Sequence, residues 1–269
     1  MEDIQINRDI VYSQSGMKLD LYKPAEITTP LPVIVFIHGG AWRMGDKESV
    51  SFGLPYNEMV EQGYVFVSIN YRLSHEAAFP AQIHDCKAAV RWIRAHAKEY
   101  NIDPERVGAW GPSAGGHLAA LLGTSYGISD LEGDGGNPQY SSSVQAVCDF
   151  YGPTDLIRMS EMKGELDKES PESLMIGGPL LENADRVARA NPITYITGNS
   201  PPFLIVHGEK DGVVPPDQSR ILYEALLKAN IEAELQIIPD AIHGFNGIST
   251  EQLDEIKQMV SGFFNRHLK

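Results

Sequence analysis

The sequence predicts an α/β fold with a mostly parallel central sheet and helices on both faces. Short β-branched apolar runs alternate along the chain with stretches of helical periodicity, the pattern of successive strand-helix units. The central runs are apolar at every position, as strands covered on both faces require. No repeat or low-complexity tract breaks the rhythm, and 269 residues with 42% hydrophobic content are enough for one domain over residues 1–269.

The elements follow in order. Ile10, Tyr12, Leu19 and Leu21 fall at two-residue spacing around Ser15-Gly16, which predicts an antiparallel hairpin over residues 8–23. Val33 to Ile37 and Tyr64 to Ile69 are continuous core strands. Ile83, Cys86, Val90, Ile93 and Ala97 recur at steps of three and four, giving a helix with one apolar face from which Arg91, Arg94 and Lys98 point away. Asp103-Pro104 reads as a turn into a strand over Arg106 to Trp110, which meets Gly111-Pro112-Ser113-Ala114-Gly115 and then an apolar helix through Leu122. Strands over 144–150, 203–207 and 233–238 follow, with a helix over 218–228 between the last two. A final helix starts near Ser249, with Gln252 completing a capping box and Leu253, Ile256, Val260 and Phe263 facing inward. Residues 154–200, charged around Glu161 to Glu172, interrupt the rhythm and read as a small inserted cap.

Composition excludes several function classes. A formal net charge of −14 repels nucleic-acid phosphates and anionic lipid headgroups, so neither nucleic acid nor membrane is expected as a partner. Cys86 and Cys148 lie in apolar runs and make neither a disulfide framework nor a metal motif. No run reaches membrane-spanning length and no secretory leader is visible, which predicts a cytoplasmic protein.

The chemistry gathers in three loops. A serine hydroxyl needs a base within hydrogen-bond reach, and that base needs an orienting group. Gly111 to Gly115 fits the Gly-X-Ser-X-Gly elbow, between strand and helix as that motif requires, and marks Ser113 as nucleophile. Asp211 follows the next-to-last core strand and His243 the last, so both lie at the carboxyl end of the sheet, where parallel sheets bind ligands. The chain order Ser, Asp, His agrees with this arrangement. His38-Gly39-Gly40-Ala41-Trp42 follows the first core strand, so the N–H groups of Gly40, Ala41 and Ala114 are candidates for an oxyanion hole. Asp155 and Glu209 compete with Asp211 for the acidic role; among the histidines only His243 has the right place, since His38 and His207 follow core strands and suit loop bracing and His75, His84, His96, His117 and His267 show no partner pattern. Trp42 and Tyr151 either line a substrate pocket or pack beneath it. Asp130 to Gly135 resembles a calcium loop but has Ser141 where a bidentate acid belongs, so it reads as a polar loop and no metal site is expected.

With these residues in view, the chain resembles the α/β-hydrolase esterases related to hormone-sensitive lipase, especially the bacterial His-Gly-Gly-X-Trp branch with feruloyl- and acetyl-esterase-like members. The resemblance includes Asn70-Tyr71-Arg72-Leu73, the helix from His84 to Trp92, Asp103 to Arg106, Phe150 to Asp155, Pro201 to Leu204, Pro215 to Ser219 and His243-Gly244-Phe245. It implies the α/β-hydrolase fold and carboxylesterase activity on a small-molecule ester, without metal or organic cofactor, through Ser113, Asp211 and His243. Ala41 and Pro112 depart from the lipase-like pattern, so the implied class is esterase rather than lipase. Two alternatives remain open: an amide-cleaving serine hydrolase of arylformamidase or peptidase type, and a non-catalytic ligand-binding relative.

Overall fold

The computed structural model describes residues 4–50, 56–166 and 169–269. The chain runs through β1 (Ile4–Val11), β2 (Lys18–Pro24), β3 (Leu31–Ile37), α1 (Tyr56–Glu61), β4 (Val65–Ile69), α2 (Ala81–Ala95), α3 (Ala97–Tyr100), β5 (Ile102–Pro112), α4 (Ala114–Thr124) and α5 (Ser129–Glu132). It continues through β6 (Ala146–Phe150), α6 (Leu156–Lys163), α7 (Pro171–Ile176), α8 (Ala184–Ala190), β7 (Phe203–Gly208), α9 (Asp217–Lys228), β8 (Ala233–Ile238) and α10 (Thr250–Leu268). Among the described residues, eight strands form one sheet in the order β1-β2-β4-β3-β5-β6-β7-β8. The β1-β2 and β2-β4 pairs are antiparallel and the remaining pairs parallel. This is the α/β-hydrolase fold.

Alternation along the strands divides the core. Val33, Val35, Ile37, Val65, Val67 and Val107 face one apolar cluster with α2 and α4, whereas Ile34, Phe36, Phe66 and Trp110 face the other with α1 and α10. Both faces of the central strands are thereby covered, which is why their sequences are apolar without interruption. The Ser249 hydroxyl accepts from Gln252 N–H, and the Gln252 side chain accepts from Ser249 N–H, so the capping box starts α10 where expected.

One expectation changes, and two features go beyond the sequence reading. Asp103-Pro104 does not precede the strand but bulges within β5: Leu31 pairs with Ile102, and the next paired residues are Val33 and Val107. Proline cannot donate to the ladder, and looping out residues 103–106 removes that conflict. Arg91 and Arg94, which leave the apolar face of α2 as expected, are nevertheless buried, because residues 125–145 cover them with acceptors. Arg91 donates to the Glu132 and Gly136 carbonyls and Arg94 to those of Pro104 and Ser141. Glu132 is taken up by ion pairs with Lys87 at 2.8 Å and Arg91 at 3.2 Å, so the polar loop is organised by α2. Finally, the six residues of α1 are too few to show a helical period, and no element was expected there.

The interval between β6 and β7 contains α6, α7 and α8 rather than a single crossover helix. Asp167 and Lys168, inside the expected cap and its charged stretch, lie outside the described residues. Bonds that tie this interval to the rest of the chain include Phe79 N–H to the Met175 carbonyl at 2.7 Å and the 2.8 Å contact of His117 Nε2 with the Ala190 carbonyl. Among the described residues, no helix is long and apolar enough to cross a membrane.

Candidate active site

β4 and β5 lie on opposite sides of β3, so the loops leaving β3 and β5 part above a crevice at the carboxyl end of the sheet. Ser113 stands there between β5 and α4, at φ 55° and ψ −122°. A non-glycine residue at positive φ is strained and persists only when its surroundings hold it. Its N–H donates to the Phe150 carbonyl at 2.8 Å, and α4 begins so close to β3 that a Cβ on Gly115 would come within 1.9 Å of the Ile37 carbonyl oxygen.

The structure brings the three predicted residues into one hydrogen-bonded chain. Ser113 Oγ lies 3.2 Å from His243 Nε2, and His243 Nδ1 lies 2.7 Å from Asp211 Oδ2. Asp211 Oδ1 accepts from Val213 and Val214 N–H at 2.8 and 2.9 Å, so both oxygens have donors. Burial alone pushes this carboxyl up, but hydrogen bonds from His207 and His243 outweigh it and hold the group well below the usual carboxylate range. An ionised Asp211 accepts from Nδ1–H, which leaves Nε2 free to accept from Ser113. The competitors are engaged elsewhere: Asp155 caps α6 through Arg158 N–H, and Glu209 accepts from Asp240 N–H. His207 is buried, with Nδ1 2.6 Å from Ser219 Oγ and Nε2 2.8 Å from the Val214 carbonyl. It also lies 3.4 Å from Asp211 Oδ2 and so braces the loop that carries the acid.

The loop after β3 turns sharply beside the elbow. Gly40, at φ 114°, accepts from Arg43 and Met44 N–H, and a Cβ there would meet the Met44 carbonyl oxygen at 2.1 Å. Among the described residues, the N–H groups of Gly40, Ala41 and Ala114 engage no acceptor, which leaves them available to an anionic oxygen. The His38 ring stacks on Tyr71 at 4.3 Å, and its Nδ1 lies 2.7 Å from the Gly39 carbonyl. Burial lowers the His38 pKa against the opposing Gly39 bond, which keeps the brace neutral. The Asn70 to Leu73 motif anchors the same region, since Asn70 Oδ1 accepts from Lys47 N–H and Arg72 pairs with Asp85 at 2.8 Å.

Trp42 takes the packing alternative rather than the pocket. Only 2% exposed, it donates its indole N–H to His117 Nδ1 at 3.2 Å. His117 Nε2–H in turn donates to Ala190, linking the β3 loop to the interval before β7. Sequence reasoning missed His117; its one signal was a polar side chain in an otherwise apolar α4. Tyr151, also buried and at φ 44°, lays its ring 4.8 Å from that of His243 and 4.9 Å from that of Phe245. Three of the loops that carry site residues each expose a large apolar side chain: Met44 (56% exposed), Val213 (53%) and Ile242 (49%).

Burial pushes the His117 pKa down to about 4 and that of Asp149, on β6, up to about 7. Between about pH 4 and pH 6.5 the unfolded chain binds a proton at His117 that the folded chain excludes, so this group makes stability rise with pH. Asp149 acts in the opposite sense, because the folded chain retains a proton that the unfolded chain has released. Asp149→Asn removes the second effect alone. Relative to wild type, its unfolding free energy is expected to rise by about 3 kcal/mol from pH 4 to pH 6.5. Urea titrations at several pH values measure this, and parallel curves for the two proteins would refute it.

The fold and this constellation place the chain among the α/β-hydrolases. It belongs to the BD-FAE family, whose model matches residues 19–226. It is similar to Esterase LipQ of Mycobacterium tuberculosis, at 33% identity over 95% of this chain and 61% of that protein. Probable carboxylic ester hydrolase LipM of the same organism is 32% identical over 88% of this chain and 56% of that protein. The chain thus spans about three-fifths of the length of these curated relatives. Among solved structures, a truncated form of a carbohydrate esterase from gut microbiota superposes with a TM-score of 0.86, at 33% identity, over 97% of this chain and 95% of that one. Esterase Est2 of Thermogutta terrifontis gives a TM-score of 0.74 at 27% identity, over 96% and 91%.

Proposed function

We propose that the protein is a serine carboxylic-ester hydrolase that works through an acyl-enzyme on short-chain or aryl esters. The observation that carries this reading is the hydrogen-bonded chain from Ser113 through His243 to a doubly supported, ionised Asp211. His243 takes the Ser113 proton as Oγ attacks the ester carbonyl, and Asp211 stabilises the imidazolium that forms. The N–H groups of Gly40, Ala41 and Ala114 receive the oxyanion. His243 returns the proton to the leaving alcohol, the acyl-enzyme remains, and water activated by the same histidine releases the acid. Naming of the relatives as esterases supports the reaction class, and the carbohydrate esterase among the neighbours supports an ester on a sugar.

The apolar side chains of Met44, Val213 and Ile242 favour an aryl or alkyl group at the rim. Residues 154–200 act in this reading as a cap, which the bonds that Phe79 and His117 donate to the Met175 and Ala190 carbonyls support.

The test is release of p-nitrophenol from acetate, butyrate and octanoate esters, beside formamide and peptide substrates. Ester turnover is expected to dominate. Turnover of the amides alone would contradict the reading.

A further inference from the structure

Asp149 plays no part in the hydrolysis described above, yet it is fully buried at the end of β6, directly behind the elbow. Its Oδ1 accepts from Gly152 N–H at 2.9 Å. The same oxygen would lie 2.3 Å from a Cβ on Gly116 and 2.5 Å from one on Gly152, so the carboxyl is wedged between the first turn of α4 and the turn after β6. Oδ2 is buried and makes no hydrogen bond to a described residue, and among those residues no cation forms an ion pair with it. An isolated carboxylate in such a place is strongly disfavoured, whereas a neutral acid is tolerated. Burial accordingly pushes its pKa up to about 7.

The residues this wedge holds matter to the site. Phe150 offers its carbonyl to Ser113 N–H, and Tyr151, at φ 44°, sets its ring edge-on to His243. The bond from Gly152 N–H to Asp149 closes the turn that contains Tyr151, and Tyr151 N–H donates to the Val206 carbonyl at 2.9 Å. One short segment thus touches the predicted nucleophile through its backbone and the predicted base through its ring.

We propose that Asp149 is a positioning residue: as a neutral carboxyl that accepts from Gly152, it holds the Tyr151 turn in place and so fixes the orientation of the His243 imidazole toward Ser113. The inference rests on the serine-esterase reading. What the residue supplies is an uncharged acceptor of this shape. Asparagine can replace it, since its side-chain carbonyl accepts the same bond. Leucine, of similar volume but without an acceptor, leaves the buried Gly152 N–H unsatisfied.

The test compares wild type, Asp149→Asn and Asp149→Leu in the full chain, with p-nitrophenyl acetate turnover, thermal unfolding and an infrared difference spectrum at pH 6. Asp149→Asn is expected to retain kcat within about threefold. Asp149→Leu is expected to lose about tenfold or more in kcat with little change in KM, because imidazole orientation acts on the chemical step. The neutral carboxylic-acid carbonyl band is expected in wild type and absent from Asp149→Asn. Equal impairment of both variants, an unimpaired Asp149→Leu, or no loss of the band overturns the proposal. If Asp149→Leu does not fold, absence of the band from wild type at pH 6, or an Asp149→Asn variant that loses about tenfold in kcat, still overturns the proposal. The band also separates the two readings: a wild type without Ser113-dependent ester turnover refutes the esterase assignment, whereas the spectrum reports the state of Asp149 regardless.

Discussion

Replacing Ser113 with alanine is expected to lower kcat for p-nitrophenyl acetate by about 10⁴- to 10⁶-fold. The substitution deletes the oxygen that would attack, while the other groups stay where they are: Asp211 keeps its bonds to Val213 and Val214, and His243 its bond to Asp211. Water can still react at an ester held by the oxyanion donors, so a residue of rate above the uncatalysed reaction should persist. KM is expected to change little, because Oγ contributes more to the transition state than to binding. The folded structure should be unaffected, since the elbow is held by the Ser113 backbone N–H rather than its hydroxyl. Steady-state kinetics together with thermal unfolding of the same preparation check both halves. Near-native turnover would remove Ser113 from the reaction.

The second large effect concerns folding. Gly115→Ala is expected to destabilise the protein by at least about 3 kcal/mol, a large share of the total stability of about 5–15 kcal/mol for a domain. The new methyl would stand 1.9 Å from the Ile37 carbonyl oxygen and 2.8 Å from that of His38, both backbone atoms. Ile37 ends β3, which is hydrogen-bonded on both sides by β4 and β5 and cannot move away, so α4 must shift instead. Any such shift carries Ser113 away from His243, and surviving folded protein should have lost most of its activity. Gly198→Ala is the control, because among the described residues beyond its two chain neighbours no atom lies within 4 Å of the position its Cβ would occupy. Chemical denaturation of the two variants measures the difference, and equal midpoints would contradict the close approach.

The strands and the three site loops were legible in the sequence for a common reason. In a parallel sheet every loop at the carboxyl end faces the same crevice, so Ser113, Asp211 and His243 could be placed by asking which strand each one follows. Small residues around Ser113 and the capping box at Ser249 are local signals and stood out equally well. What could not be read depends on long-range covering. Helical periodicity shows that Arg91 and Arg94 lie off the apolar face of α2, but not that residues 125–145 fold over them. Likewise, Trp42 in a glycine-rich loop suits a pocket as well as a brace, and only the bond to His117, 75 residues away, decides between them. The bulge at Asp103-Pro104 was misplaced because a proline in a turn and one looped out of a ladder have the same sequence appearance.

The central claim is that Ser113 is the nucleophile of a His243- and Asp211-activated site, and covalent trapping tests it most directly. The full chain is treated with diisopropyl fluorophosphate, then followed by intact mass, peptide mapping and residual ester turnover. The account predicts one adduct per chain, located on Ser113, with activity falling in proportion to modification and little adduct in His243→Ala. An adduct on another residue, or undiminished turnover after Ser113 is fully modified, would contradict it.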